Sequence, residues 1–214
     1  MYNFIKYLAL IHVIGATSTC DPSSYPIVTS CYRSFFSFYN LSISSSMEFP
    51  KYLDYLNAVV NYEKLGSIEE FKKVCTIQNS LTSCLGDSVS CINSKDLLKI
   101  FKFHDYDNEE YTGDYYMSNY KCTTAYQFML NNFHCLITVH TLGKDKLANC
   151  KNNFIKSVPS RGCQAANIFI SCLGEVFGSY CGPKGEDLAC NIAKIDMTYD
   201  MPQCKDKLKT CNQL

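Results

Sequence analysis

Tryptophan is absent from the 214 residues, and neither sign of charge predominates, with 20 Lys and Arg against 20 Asp and Glu. Without a basic excess there is no electrostatic footprint for nucleic acid or anionic lipid. After Ala16 no apolar run approaches the ~20 residues needed to cross a bilayer. The spacings typical of structural zinc sites are missing too: no Cys-x2-Cys and no His-x3-His pair occurs. There is no Gly-x-Ser-x-Gly elbow, no His-Glu-x-x-His and no Gly-rich phosphate loop, so the common hydrolase, metalloprotease and nucleotide-binding chemistries lack their parts. The expectation is a protein with no cofactor and no catalytic activity.

What the chain does contain is aromatic bulk and sulfur. Sixteen Tyr and 13 Phe stand in for tryptophan. Fourteen cysteines lie at Cys20, Cys31, Cys75, Cys84, Cys91, Cys122, Cys135, Cys150, Cys163, Cys172, Cys181, Cys190, Cys204 and Cys211. They are even in number and all follow a segment that reads as an export signal. In that segment Lys6 supplies the positive start, Tyr7 to Ala16 is uncharged and mostly apolar, and Ala16-Thr17-Ser18 offers the small residues a signal peptidase needs. Removing residues 1–18 takes away only Lys6, leaving 19 basic and 20 acidic residues, a net charge of −1. An even set of cysteines in an oxidising compartment predicts up to seven disulfides. Their connectivity is open, since seven bridges allow on the order of 10^5 pairings by the same counting.

Apolar residues recur mostly at helical spacing, and Gly and Pro fall between the periodic segments. Ile27, Cys31, Phe35 and Phe38 or Tyr39 predict a first helix, followed by a serine-rich loop over Ser42–Ser46. Pro50 precedes a second helix with Tyr52, Leu53, Leu56 and Val60 on its face and Gly66 at its end. Ser67-Ile68-Glu69-Glu70 has the form of a capping box and opens a helix through Phe71, Cys75 and Leu81 to Gly86. A short helix after Ser94 turns Leu97, Leu98 and Phe101 inward. A long helix is expected from Cys122 through Tyr126 and Phe133 to Gly143, and another through Leu147, Cys150, Phe154 and Val158, with Pro159 after it.

Cys163, Cys172 and Cys181 follow at nine-residue steps. Nine residues at 100° each end half a turn out of phase, so one helix holding all three turns Cys172 away from the other two and suits a central position. Gly182-Pro183 breaks it, and Pro202 starts a last short helix with Cys204, Leu208 and Cys211 on one face. No linker and no internal repeat stands out. The expected fold is therefore all-α: a compact multi-helix domain over residues 19–214, cross-linked by up to seven disulfides.

The run Cys163-x8-Cys172-x8-Cys181-Gly182, continuing into Glu186-Asp187-Leu188-Ala189-Cys190, resembles the end of a nematode secreted domain, the chondroitin proteoglycan 4 family. Phe71-Lys72-Lys73-Val74-Cys75, Cys84-Leu85 and Cys91 resemble its earlier part. A second nematode family, the twelve-cysteine extracellular domain of unknown function, also carries Phe-x-x-x-Cys followed by further cysteines. The likeness spans about residues 70–195 and implies a helical, cysteine-rich, secreted fold with no catalytic residue to carry over. Chondroitin is attached at Ser-Gly, and the chain contains no Ser-Gly dipeptide, so the resemblance is to the fold.

Three local features are candidates for function. Asn40-Leu41-Ser42 is an acceptor for N-linked sugar. His134 beside Cys135 has the composition of a base and a thiol nucleophile, but an oxidised Cys135 forecloses it. The stretch 104–118, HDYDNEEYTGDYYMS, is acidic, Tyr-rich and without apolar periodicity. It reads as an exposed loop, with Tyr106, Tyr111 and Tyr115 among carboxylates as a surface for a basic partner. An EF-hand calcium loop does not fit there, because one begun at Asp105 has Glu110 and Tyr116 where Gly and Glu are required. The expected function is that of a secreted, extracellular binding or structural module acting on a protein or matrix component. The alternative is an extracellular carrier of a small apolar ligand.

Overall fold

The computed structural model describes residues 20–64 and 67–214; the expected signal segment and the helix stop at Gly66 lie outside the described residues. The fold is all-α. Among the described residues there is no strand, and one isolated parallel bridge joins Glu48 to Lys102. The absence of a linker points to one domain; contacts nevertheless gather into two compact units, one through Cys122 and one from Thr123 to Leu214.

The first unit holds α1 (Tyr25–Phe38), α2 (Tyr52–Lys64), α3 (Ile68–Leu85), α4 (Ser94–Ile100) and α5 (Asp107–Cys122), with a 3-10 turn over Gly86–Cys91. Helix α3 is central, packed by α1, α2 and α5, while α4 rests on α5. The Ser67 half of the capping box forms as expected, while the Glu70 carboxylate turns to Lys73. Ser67 Oγ accepts from the Glu70 backbone N–H at 3.2 Å, and the Glu70 carboxylate accepts from Lys73 Nζ at 2.7 Å. Phe71, Cys75 and Leu81 then point inward.

On α1 and at its C-cap, Cys31, Phe35 and Tyr39 are buried as expected and are joined by Val28, Tyr32 and Phe36, whereas Ile27 is exposed. Two other expected inward residues, Leu53 and Leu98, are exposed, because α2 buries Tyr52 and Tyr55 and α4 buries Leu97 and Ile100. In both helices the residue one step along lies 100° away from the buried face.

The core of this unit is aromatic. Phe49 packs edge-on against Tyr32, Phe36 and Tyr111 with ring centroids 4.7–5.1 Å apart. Edge-to-face rings at such distances gain about 0.5–1.5 kcal/mol per pair beyond burial.

The second unit holds α6 (Tyr126–Asn131), α7 (Phe133–Leu142), α8 (Lys144–Arg161), α9 (Cys163–Asp200) and a 3-10 turn over Pro202–Lys207. Where one long helix is expected from Cys122 to Gly143, the chain turns at Thr123–Ala125 and again at Asn132. Asn132 Nδ2 donates to Phe128 O at 2.9 Å, the local competition by which Asn interrupts helices. Helix α8 runs past Pro159 to Arg161, so the proline lies in its last turn instead of after it.

Helix α9 is two helices in series. Gly182, at φ 69° and ψ −173°, breaks it before Pro183 as expected, in a backbone region that glycine enters without penalty. The arm after the break folds back closely: a Cβ on Gly174 would lie 3.2 Å from Glu186 Cγ.

Cys204, Leu208 and Cys211 do not share a helical face, because the helical turn ends at Lys207 and Leu208 is extended. Side chains of α9 bind that tail in place of helical hydrogen bonds. Asn167 Nδ2 donates to Lys207 O at 2.9 Å and its Oδ1 accepts from Lys209 N at 2.7 Å. Beyond the break, Asn191 Nδ2 donates to Asn212 O at 2.7 Å and Lys184 Nζ to Gln213 O at 2.9 Å.

Candidate functional site

All fourteen cysteines are paired: Cys20–Cys91, Cys31–Cys84, Cys75–Cys122, Cys135–Cys181, Cys150–Cys172, Cys163–Cys204 and Cys190–Cys211. Cα–Cα distances of 4.6–5.8 Å fall within the range a disulfide spans. Three bridges lie in the first unit and four in the second. The expected central position of the Cys163–Cys181 helix holds, since its three cysteines reach the 3-10 turn after α9, α8 and α7 respectively. Cys135 is bonded to Cys181, so His134 has no thiolate beside it to activate.

The Tyr-rich stretch is where the structure departs furthest from expectation. From Asp107 onward it is helix α5, and the exposed binding loop over 104–118 does not exist as such. Tyr106 is 43% exposed, but Tyr111 and Tyr115 are each 2% exposed. Tyr111 OH donates to Pro50 O at 3.1 Å and Tyr115 OH to Thr82 Oγ1 at 3.3 Å. Two physical causes explain the correction. The acidic run Asp107, Glu109 and Glu110 occupies the first turn, where the helix dipole favours carboxylates. Behind it Asn108, Tyr111, Thr112, Tyr115 and Cys122 form a buried stripe at helical spacing, with each tyrosine giving an apolar body to the core and a hydroxyl to a partner.

Beside this stripe Asp107 and Asp114 of α5 build a polar seam that the sequence did not reveal. Asp107 Oδ2 accepts from the Tyr52 backbone N–H at 3.0 Å, capping α2 from another helix. Burial raises the Asp107 carboxyl above its ordinary range, partly offset by that backbone donor, and burial raises Glu109 as well. Asp114 accepts from Tyr55 OH at 3.0 Å and Tyr52 OH at 3.4 Å. Burial, and then the Asp114 carboxylate, push the Tyr55 phenol well above its usual range. The Tyr55 phenol is therefore held as a neutral donor, and the two hydrogen bonds to Asp114 fix α2 on α5.

Asp96 is a second buried carboxylate, fully shielded from solvent. Its oxygens accept from Lys99 Nζ at 2.8 Å, Asn93 Nδ2 at 2.8 Å and Tyr25 OH at 3.4 Å, and Asn93 Oδ1 caps the Asp96 N–H at 3.0 Å. Asn-x-x-Asp is a capping pattern legible in the letters; the link to Tyr25, 71 residues away, is not. Among the described residues no cluster of His, Cys, Asp and Glu is arranged to hold a metal ion.

Tyr32 OH is buried without a protein partner, and burial, then the nearby Tyr115 and Asp114, hold its phenol well above its ordinary range. An unmet buried hydroxyl costs about 1–3 kcal/mol. Tyr32→Phe is accordingly expected to raise the thermal midpoint of the first unit. A lowered midpoint in calorimetry would show that the hydroxyl is bonded to water.

Asn40 is exposed at the end of α1 with φ 56°. Asn40 N–H donates to Ser37 O at 3.2 Å and Leu41 N–H to Phe36 O at 3.0 Å, the paired bonds of a Schellman cap with Asn at its left-handed position. Ser42, the hydroxyl of the sequon, is exposed as well.

No family model, no curated protein and no solved structure matches this chain. Fold and bridges together define a disulfide-rich, all-α protein, and none of its helices among the described residues is long and apolar enough to cross a membrane.

Proposed function

We propose that the chain is a secreted, non-catalytic extracellular module that acts through its surface on a protein or matrix component, as in the nematode cysteine-rich families it resembles. The observation that carries this reading is the complete pairing of fourteen cysteines, a framework that persists in oxidising compartments and is reduced in the cytosol. The apolar-carrier alternative gains no support from the aromatic residues. In the first unit they pack on one another, as Phe36, Phe49 and Tyr111 do, and their burial is that of a filled core. Expression of the whole chain in a secreting eukaryotic cell tests the proposal. The expected product is in the medium, begins near Thr19 and resists alkylation under denaturing, non-reducing conditions. Cytosolic retention, or two or more alkylated cysteines in fresh product, overturns it.

The same product is N-glycosylated at Asn40, a reading supported by exposure of both ends of the sequon. Peptide N-glycosidase is expected to lower its mass by one glycan and convert Asn40 to Asp. Ser42→Ala removes the acceptor hydroxyl without touching the cap, so it abolishes the shift. Asn40→Gly does the same while keeping the left-handed position that glycine tolerates. A secreted chain with no shift rejects the glycan and leaves secretion standing.

A further inference from the structure

We infer that the two units are two copies of one six-cysteine module. The letters set the register. Cys75 is followed nine residues later by Ser83-Cys84-Leu85-Gly86-Asp87, and Cys163 nine residues later by Ser171-Cys172-Leu173-Gly174-Glu175. This aligns Cys75 with Cys163 and Cys84 with Cys172. One cysteine earlier, Cys31-x3-Phe35 aligns with Cys150-x3-Phe154.

In that register the bridges coincide. Counting the first unit's cysteines from Cys20, first pairs with fifth, second with fourth and third with sixth: Cys20–Cys91, Cys31–Cys84 and Cys75–Cys122. Counting from Cys135 and leaving aside Cys190–Cys211, the second unit has the same order: Cys135–Cys181, Cys150–Cys172 and Cys163–Cys204. Six cysteines can pair in 15 ways, and both units use the same one.

The helices agree with the bridges. In each unit a central helix, α3 or the first arm of α9, carries the third and fourth cysteines nine residues apart and hence on opposite sides. The fourth ties back to an earlier helix, α1 with α2 intervening or α8 directly, and the third ties forward to a later segment, the end of α5 or the 3-10 turn after α9. The central helix packs on those same neighbours in both units.

The copies differ outside the helices that carry the second, third and fourth cysteines: Cys20 precedes α1 and Cys91 closes a 3-10 turn, whereas Cys135 and Cys181 lie on α7 and α9, and before the sixth cysteine the first unit has α4 and α5 where the second has the second arm of α9. The first unit has a step of 44 residues from its second to its third cysteine, against 13 in the second unit; the excess contains Asn40, the serine-rich loop and α2. The second unit adds Cys190–Cys211, which pins its tail. A protein built this way presents two related modules, so a contact found on the helices that carry the second, third and fourth cysteines of one has a counterpart position on the other.

The test uses the full chain exported by a foreign leader, so that it does not depend on residues 1–18 or on the proposed secretion. A site-specific protease sequence is placed between Cys122 and Thr123, and the chain is cut without reductant. Two separate fragments are expected, with mass deficits of three and four disulfides. Peptide mapping is expected to return the first-to-fifth, second-to-fourth and third-to-sixth order in each. Fragments that stay joined under denaturing conditions, or any mapped pair other than these six and Cys190–Cys211, overturn the inference. As a second measurement, C31A/C84A is expected to open new trypsin sites only before Cys122, and C150A/C172A only after it. New sites in both units from either variant overturn module independence even if the mapping agrees.

Discussion

Reduction of all seven disulfides is expected to abolish most of the helical circular dichroism at physiological temperature. Each bridge closes a loop in the unfolded chain, and the separations run from 71 residues for Cys20–Cys91 to 21 for Cys190–Cys211. The chain-entropy treatment assigns about 4 kcal/mol to the longest and about 3 kcal/mol to the shortest. Either is a large share of the ~5–15 kcal/mol that holds a domain together, and neither unit has more than about a hundred residues from which to build a core. Single bridges should follow the same order. C20A/C91A is expected to lower the midpoint of the first unit by about 15 °C or more, taking about 4 °C per kcal/mol for a domain of this size, and C190A/C211A to act less on the second. Helicity that survives strong reductant would show that the aromatic core of the first unit and the α8–α9 packing of the second suffice alone.

Elements whose cause is local were legible in the sequence, and those whose cause is distant were not. Ser67 and Glu70 are three residues apart and set the start of α3 by themselves; Gly182-Pro183 breaks α9 wherever it is placed. The disulfide count follows from the letters, but which sulfur meets which depends on how the helices stack. The cap on α2 comes from Asp107, 55 residues away, and the tail after Lys207 is held by Asn167 and Asn191, 40 and 21 residues from their acceptors. Neither leaves a mark in the local pattern. The repeat is an intermediate case. Ser-Cys-Leu-Gly followed by an acid occurs twice, yet the preceding cysteine steps of 44 and 13 residues obscure it. The two glycines also serve different ends: Gly86 closes α3 at φ 49°, whereas Gly174 lies within a helix and admits Glu186.

Tyr111→Ala is expected to cost the first unit about 3–5 kcal/mol, the range for removing a large buried aromatic side chain, whereas Tyr106→Ala should stay within about 0.5 kcal/mol as an exposed substitution does. Five residues separate them in a segment whose composition reads as uniformly polar. A scale that scores tyrosine by its hydroxyl hides the stripe, because the ring of Tyr111 meets Phe36, Phe49 and Tyr52 at centroid distances of 5.8, 4.7 and 4.9 Å while its hydroxyl is spent on Pro50 O. Tyr111→Phe separates the two parts: it keeps the ring contacts and gives up one hydrogen bond, for an expected loss of about 1 kcal/mol. Urea unfolding followed by far-ultraviolet circular dichroism, with the disulfides intact, measures all three. Equal small losses for Tyr106→Ala and Tyr111→Ala would return residues 107–118 to the surface and revive them as a binding segment. The expected order, Tyr111→Ala well above Tyr111→Phe and both above Tyr106→Ala, keeps them in the core and leaves Tyr106 as the one tyrosine of the three that a partner could reach.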